Sequence, residues 1–344
     1  MNLKGKQVNN DYNSISDLSN FLHKDMSEVN NVILDCIFSS QEPLIHQVGT
    51  YFFNAGGKRI RPMLTVLISK LFNYQGLSHY YLAAAVELIH AATLLHDDVV
   101  DESKMRRSQP TVHLKWNTKT SILVGDFLFS QSFKMMIKSN SMKALKSFSS
   151  SFNTIITGEV KQLTQLHSKK IITEDEYFKI IHAKTAELFG TSCEIAAIIS
   201  NQSEQTCLLV KTFGINLGLI FQIIDDTLDY FGNSNSLGKN IGDDFIESKV
   251  TLPVIIAYNC AITQNEKDFW HRVFLNQEKQ TEDFKSALNF LYTHNILALI
   301  KQKITQLEKQ AYDIITKLNI TSEYKNHLAN FMKYIINRID LLQN

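Results

Sequence analysis

Glycine and proline are scarce in this chain of 344 residues, which contains 13 glycines and 4 prolines. Neither residue occurs between Val254 and Asn344. Long stretches without these residues favour helices over a turn-rich β fold. The sequence therefore predicts an all-α protein.

The chain also has few cysteines, and its four are widely spaced at Cys36, Cys193, Cys207 and Cys260. They form neither a CxxC pair nor a disulfide framework, which is typical of a reducing compartment. The polar N-terminal sequence lacks the apolar core of a signal peptide. No run reaches the roughly 20 apolar residues that span a bilayer. We therefore expect a cytoplasmic protein without a transmembrane segment.

A net charge is almost absent, because 35 basic and 34 acidic residues leave +1. Such a chain has no overall field that would attract nucleic acid or a membrane surface. Nucleic acid is therefore not an expected partner, and any charge-dependent function must be local.

The pattern along the chain predicts a flexible N-terminal tail over 1–12 and one helical domain over 13–344. Ten or more helices are expected, with a glycine- and serine-rich functional loop over 232–249. The helices predicted individually are 78–100 with Ser78 as N-cap, 121–138, 144–167, a helix to Ser200 that starts at the capping box of Thr173 and Glu176, and 203–230.

Two copies of the pattern DDxxD, at 97–101 and 225–229, each close a long apolar helix. In a helix the first and last aspartates of each copy share a face. Acids at a helix C-terminus oppose the macrodipole, so each cluster is unfavourable without a compensating cation. One acidic helix end is usually just solvated, but two identical copies favour a Mg²⁺ site with open positions for phosphate.

Basic residues lie near both acidic clusters and after a glycine pair in "GGKRIRP", 56–62. A basic loop alone is commonly only a solvated surface. Beside two acidic clusters, these side chains indicate a site for one or two diphosphates. The residues are Lys58, Arg59, Arg61, Arg106, Arg107, Lys239 and Lys249.

From about residue 30 to the C-terminus, the chain resembles the trans-isoprenyl diphosphate synthases, and among them the long-chain polyprenyl diphosphate synthases. The resemblance rests on seven blocks in a fixed order: "GGKRIRP" (56–62), "ELIHAATLLHDDVVDESKMRRSQPT" (87–111), "LVGDFLF" (123–129), "GEVKQL" (158–163), "KTAELF" (184–189), "FGINLGLIFQIIDDTLDYFG" (213–232) and "GKNIGDDFIESKVTLP" (238–253).

The resemblance implies a single-domain, all-α isoprenoid-synthase-type bundle around a central hydrophobic cavity. Two or three Mg²⁺ ions would be held by Asp97, Asp101 and Asp225, with Asp98, Asp226 and Asp229 completing or supporting their shells. The implied substrate contacts are Arg106, Lys184 and Lys239 for the allylic diphosphate, and Lys58, Arg61, His90 and Arg107 for isopentenyl diphosphate.

The resemblance further implies that Thr185 and Gln222 direct oxygens at the developing carbocation, with Lys184 beside them. Taken without the family, each of these residues has a plain structural reading. His90 is then a structural helix histidine, Gln222 a buried core amide, and Lys184 with Thr185 an ordinary helix face.

Product length is also expected to depend on the helix that carries the first acidic cluster. One isoprene unit corresponds to about one helical turn, or about 5 Å. Small residues, Thr93 and Ala92, occupy the positions four and five before Asp97, and Ile89 lies one turn deeper. This predicts a passage for about eight to ten isoprene units. Phe129, Phe133 and Met136 are candidates for its floor, and ordinary core packing is the equal alternative for them.

Three residues depart from the family pattern at positions where glycine is usual: Ser108, Asn117 and Ser248. A non-glycine residue adds strain wherever such a position needs a positive φ. No charge or ligand is removed, so activity is expected to survive.

Rival functions remain at this point: a synthase for shorter farnesyl or geranylgeranyl products, a non-catalytic subunit of a heteromeric synthase, and a terpene cyclase. "GGKRIRP" and the second DDxxD count against a cyclase, and the two intact clusters count against a non-catalytic subunit. The expected partners are isopentenyl diphosphate, an allylic diphosphate such as farnesyl diphosphate, and a second copy in a homodimer. Peripheral membrane contact is expected only for release of the product, which would be a quinone side-chain precursor.

Overall fold

The computed structural model describes residues 18, 20–166, 170–232, 241–318 and 320–339. The predicted tail over 1–12 lies outside these residues. Their helices are α1 His23–Phe38, α2 Pro43–Asn54, α3 Ile60–Leu71, α4 Ser78–Val100, α5 Val112–Lys115, α6 Thr118–Lys138, α7 Met142–Leu166, α8 Glu174–Ile181, α9 Glu187–Ile199, α10 Glu204–Phe231, α11 Asp243–Ile246, α12 Leu252–Cys260, α13 Gln264–Trp270, α14 Asp283–Thr293, α15 Ile296–Lys317 and α16 Glu323–Asn337.

The all-α prediction is confirmed, and the only strands in the described chain are two short ones, β1 Met105–Arg106 and β2 Gln109–Pro110. They pair antiparallel directly after α4. The hairpin turn is Arg107–Ser108, with φ of 51° and 61°. Two-residue hairpins require positive φ at both turn positions, which glycine tolerates best. Ser108 is therefore at a strained position, as the sequence predicted.

The other two departures from the glycine pattern differ from each other. Asn117 has a φ of −174°, an extended conformation open to any residue, and its side chain caps α6 by accepting from the Thr120 amide at 2.8 Å. Ser248 is in the left-handed region with a φ of 57°. The condition for strain, a positive φ, is therefore met at Ser248 and not at Asn117.

The two helices that end in DDxxD each pack closely along a neighbour. Helix α4 lies against α6, where the Ser121 hydroxyl donates to the Leu95 carbonyl at 2.9 Å. Helix α10 lies against α9, and a Cβ on Gly218 would come within 2.5 Å of the Ala186 Cα. Small residues at these contacts let the helices approach and fix the positions of both acidic ends.

The helix predicted from Thr173 to Ser200 is present, and both hydrogen bonds of its capping box are formed. A π-helical segment, His182–Ala186, interrupts it between α8 and α9. Such π-helical turns are rare in proteins, and many of those that occur lie at functional sites. Lys184 and Thr185 lie in this segment.

The predicted N-cap of α4 is wrong. Leu77 precedes the helix and Ser78 is its first residue. The Ser78 hydroxyl instead donates to the Ser139 carbonyl at 3.1 Å, which ties the start of α4 to the end of α6. A tertiary contact has replaced the local cap.

Helix α10 is long and apolar enough to cross a membrane by length and composition, with a mean hydropathy of 1.8 over its most apolar window. Within the protein, 56% of that window is buried. Its apolar residues pack against α9 and α15. We therefore assign α10 as a core helix.

Candidate active site

The first acidic cluster lies at the C-terminal end of α4, where the hairpin folds Arg106 back onto Asp98. Asp98 is 1% exposed, and the Arg106 Nε and Nη2 atoms donate to its carboxylate at 2.7–2.9 Å. Such a bidentate pair is strong and directional. In this structure Asp98 is therefore the partner of Arg106. The sequence analysis expected Arg106 to bind a diphosphate, but its Nε and Nη2 already donate to Asp98.

Asp97 is held beside a second carboxylate that the sequence analysis did not single out. Burial and the charge of Glu159 raise the pKa of Asp97 to about 7, although the charge of Lys184 opposes this. Lys184 itself forms an ion pair with Glu159 at 2.7 Å. A Cβ on Gly158 would overlap Ala183, so α7 touches the π segment here. This close contact places Glu159 next to Lys184.

The second cluster, at the end of α10, contains a buried chain of hydrogen bonds. The Tyr177 hydroxyl and the Gln222 amide each donate to Asp226 at 2.7 Å. The Thr185 hydroxyl donates to the Gln222 oxygen at 2.7 Å. Burial and the charge of Asp244 raise the pKa of Asp226 to about 7, against the opposing charge of Lys249.

Asp229 and Asp225 have different partners. The Asp244 amide donates to the Asp229 carboxylate at 3.0 Å, and burial together with the Asp244 charge raises the pKa of Asp229 to about 7. The Arg338 guanidinium, from the end of α16, donates to Asp225 at 3.4 Å. The C-terminal helix thus supplies a cation to the second cluster.

A basic cluster faces the middle of α4. The Arg61 guanidinium lies 4.6 Å from the centre of the Phe189 ring, and burial lowers its pKa to about 10. Burial and the charges of Arg61 and Arg107 hold the pKa of His90 well below its usual value. The Arg107 Nη1 donates to the carbonyl of Gly56, in the loop that carries Lys58. Crowded cations of this kind favour an anion.

Side chains of the π segment and of the second acidic cluster line one cavity. A cavity of about 430 Å³ is lined by Lys184, Thr185, Gln222, Asp226 and Lys249, with apolar side chains such as Ile180, Ile181 and Phe274. The charge of Asp101 reaches Glu247, directly after α11, and raises its pKa together with burial. The segment directly after α11 therefore lies near the end of α4. Lys239 lies outside the described residues.

The donor set fits a magnesium ion whose coordination is completed from outside the protein. Burial, together with the charges of neighbouring carboxylates, raises the pKa values of Asp97, Asp226 and Asp229 to about 7. Among the described residues, no group of three histidine, cysteine or acidic side chains is already arranged around one cation position. Magnesium commonly retains waters and phosphate oxygens, so a preformed protein cage is not required.

Comparison with known proteins decides the family. The "Polyprenyl synthetase" family model matches residues 42–291. The chain belongs to the polyprenyl synthetase family. These enzymes are prenyltransferases, so the chain is a transferase of isoprenoid biosynthesis with the all-α isoprenoid synthase fold.

Relatives of known product class are similar over most of this family member. An octaprenyl diphosphate synthase of Haemophilus influenzae is 35% identical over 95% of this chain and 98% of its own. An all-trans-nonaprenyl-diphosphate synthase of Rhodobacter capsulatus is 38% identical over 88% and 91%. A geranylgeranyl diphosphate synthase of Saccharolobus solfataricus, with a shorter product, is 34% identical over 82% and 86%.

A solved structure matches the fold closely. The polyprenyl synthase of Caulobacter crescentus, crystallised with calcium and isoprenyl diphosphate, has a TM-score of 0.87 and 36% identity. The match covers 94% of this chain and 97% of that one. The calcium and the isoprenyl diphosphate belong to that protein.

In this polyprenyl synthetase family member, the six predicted product-length residues lie apart from the cavity described above. Ile89, Ala92 and Met136 are buried in the core. The Thr93 hydroxyl donates to the His90 carbonyl at 2.9 Å. The Phe129 ring lies edge-on to Phe133 at 4.9 Å and is tilted against Phe152 at 4.3 Å, measured between ring centres. Their role in product length stays a prediction.

Sequence reasoning missed several residues of the site because their roles depend on tertiary contacts. Glu159 stands in the quoted block "GEVKQL", but its pairing with Lys184 requires the close contact of α7 with the π segment. The other missed residues are Tyr177, Asp244 and Arg338. Of these three, only Asp244 had a visible signal in the sequence, the paired aspartates of "GDDF".

Replacing Asp97 with asparagine should stabilise the metal-free protein above pH 7. Its folded pKa of about 7 exceeds the usual 3.8, so the folded state binds more protons between these values. The free energy of unfolding therefore falls as the pH rises through this window. Asp97→Asn should exceed the parent by about 1–3 kcal/mol at pH 8 and equal it near pH 4.

Urea unfolding in EDTA at the two pH values measures this difference. Asp313 is exposed, so Asp313→Asn is the matched control. It should change the free energy of unfolding by the same small amount at both pH values. If Asp97→Asn were less stable than the parent protein at pH 8, the raised pKa of Asp97 would be contradicted.

Proposed function

We propose that the chain is a magnesium-dependent, long-chain trans-polyprenyl diphosphate synthase. It would condense an allylic diphosphate, such as farnesyl diphosphate, with successive isopentenyl diphosphates into an all-trans product of about eight to ten isoprene units for a quinone side chain. The observation that carries this proposal is the pair of carboxylate clusters at helix ends, each within reach of the cations that a diphosphate needs.

Asp97, Asp101 and Asp225 would hold the metal, which supplies neutralisation of the negative charge on the leaving diphosphate. Lys184 would bind the allylic diphosphate, with Lys239 as a further expected contact. Arg106 would contribute only through Nη1, because its Nε and Nη2 remain on Asp98. Lys184 would exchange its ion pair with Glu159 for one with phosphate. This exchange keeps the lysine charge paired before and after binding.

The basic cluster would hold isopentenyl diphosphate through Lys58, Arg61 and Arg107. His90, with its lowered pKa, is neutral near pH 7 and would donate one hydrogen bond without adding another positive charge. The Arg61 guanidinium lies over the Phe189 ring, and this cation–π contact helps to hold it in place. These contacts would present the isopentenyl double bond to the allylic carbon.

Condensation needs no protein nucleophile. The allylic C–O bond breaks, and diphosphate leaves with the bonding electrons. The isopentenyl double bond then forms the new C–C bond, and a proton is lost to the departing diphosphate. Gln222 would stabilise the cation with its amide oxygen, which accepts one bond from Thr185 and retains a second acceptor position. Prealigned dipoles of this kind lower the barrier without reorganisation.

The proposed compartment is the cytoplasm, because all four cysteines are free thiols in the structure. A greasy product would leave through peripheral contact with a membrane.

Product analysis tests the proposed reaction directly. The purified protein is incubated with Mg²⁺, farnesyl diphosphate and labelled isopentenyl diphosphate, and the dephosphorylated products are resolved by length. We expect a ladder that ends at about eight to ten units and that EDTA abolishes. Products of three or four units would support a shorter-chain synthase. Absence of condensation with every starter would support a non-catalytic subunit.

Substitution of Thr93 with phenylalanine should shorten the product. Thr93 lies one helical turn from Asp97, and an aromatic ring there would close the predicted passage after one or two added units. The same product assay measures the ladder. Thr93→Val keeps the volume and removes the hydroxyl, so it should leave the ladder unchanged. Full-length products from Thr93→Phe would show that the chain does not grow along this face of α4.

A homodimer is also part of the proposal, because α6 and α7 expose apolar side chains on one face of each helix. Leu123 is 66% exposed, Ile137 67% and Val160 58%. Large apolar surfaces of this kind commonly mark protein interfaces. Light scattering after size exclusion should give about twice the chain mass of 39.3 kDa.

Val160→Glu should shift this mass to that of a single chain, because a charge would be buried in the interface. Leu208, which is 63% exposed on α10, provides the control Leu208→Glu, for which the dimer mass is expected. Two equal masses for Val160→Glu and the parent would place the interface elsewhere.

A further inference from the structure

The turn that follows α11 has a serine at a position where glycine is normally needed. The Ser248 amide donates to the Phe245 carbonyl at 3.2 Å, and the Lys249 amide donates to the Asp244 carbonyl at 2.9 Å. These two bonds form a Schellman motif, in which the residue before the last donor adopts the left-handed conformation. Ser248 is that residue, with a φ of 57°.

The left-handed conformation is less favourable for a serine than the right-handed one, because the Cβ approaches the backbone carbonyl. The structure contains a contact that offsets this cost. The Lys279 Nζ donates to the Ser248 hydroxyl and, at 2.8 Å, to the Ile246 carbonyl. Ser248 is only 6% exposed, so the polar contact is largely shielded from water.

Lys279 is presented by a loop that is itself fixed. Arg272 forms a two-bond ion pair with Asp283, at 2.7 Å for each bond. The Arg272 guanidinium also donates to the Glu278 carbonyl at 2.6 Å. The backbone on either side of Lys279 is therefore anchored before the lysine reaches the turn.

The turn determines the position of Lys249. Its Nζ donates to the Asp244 carboxylate at 3.0 Å, while the Asp244 amide donates to Asp229 at 3.0 Å. The charge of Lys249 also acts on Asp226. Lys249 and Ser248 both line the cavity that contains Lys184 and Gln222. Displacement of the turn would move a cation away from the second acidic cluster.

We propose that Ser248 and Lys279 are positioning residues that hold Lys249 at the second acidic cluster on the allylic diphosphate side of the site. The kinetic consequence rests on the proposed function. The contact itself is a property of the fold and can be tested without activity.

The test is a double-mutant cycle with Ser248→Ala, Lys279→Met and the double variant. Each single variant should raise the KM for the allylic diphosphate about three- to tenfold, the range of one lost hydrogen bond, and leave the KM for isopentenyl diphosphate within about twofold. The double variant should be no worse than the more affected single variant, because both remove the same contact.

Two further variants sharpen the result. Ser248→Gly removes the hydroxyl but accepts the left-handed conformation, so it should raise the KM less than Ser248→Ala. Lys285→Met, at a lysine side chain that is 86% exposed, is the matched control and should behave like the parent. Equal increases in KM for both substrates, or additive effects in the double variant, would overturn the proposal.

Urea unfolding of the parent, Ser248→Ala, Lys279→Met and the double variant separates this proposal from the proposed function. Non-additive losses of stability would support the Ser248–Lys279 contact even if the parent made no product. Additive losses would overturn the contact even if the parent were a fully active synthase.

Discussion

Repulsion between carboxylates at the ends of two packed helices is the constraint on which the rest of the site depends. The C-terminal ends of α4 and α10 already carry negative dipole charge, and each bears three aspartates within five residues. Basic side chains of the protein form ion pairs with acids in or beside these clusters. Arg106 binds Asp98, Arg338 binds Asp225, and Lys249 binds Asp244. For Asp97, Asp226 and Asp229, burial together with neighbouring carboxylates raises the pKa values to about 7.

The helices around the site also approach one another closely. Glycine and alanine stand at these contacts, where a larger side chain would keep the helices apart. Gly218 packs on Ala186 and Gly158 on Ala183, at the two ends of the π segment. This segment is thus held from both sides, and its widened geometry presents Lys184 toward Glu159 and Thr185 toward Gln222.

The sequence was sufficient for the all-α class, the bounds of the longest helices to within about three residues, and both acidic clusters. Those features depend on local periodicity and on spacing within one helix. It was insufficient for Glu159, Tyr177 and Arg338, because each meets its partner across a long separation in the chain. The cap at Ser78 failed for the same reason, since Ser139 competes for its hydroxyl. The glycine pattern of the family pointed to Ser108 and Ser248, where φ is positive, and equally to Asn117, where φ is −174°. The sequence alone therefore did not decide which position is strained.

Each internal ion pair near the clusters is also a contact that a diphosphate must replace or work around. Arg106 is held by three short bonds to a buried carboxylate, and to release it would leave Asp98 buried without a partner. Lys184 is held by one bond to Glu159, and both side chains are 25% exposed. Water can therefore solvate Glu159 when the lysine leaves. The difference in burial makes Lys184 the cation that is free to move and Arg106 the one that fixes the end of α4, although both stand beside the same cluster.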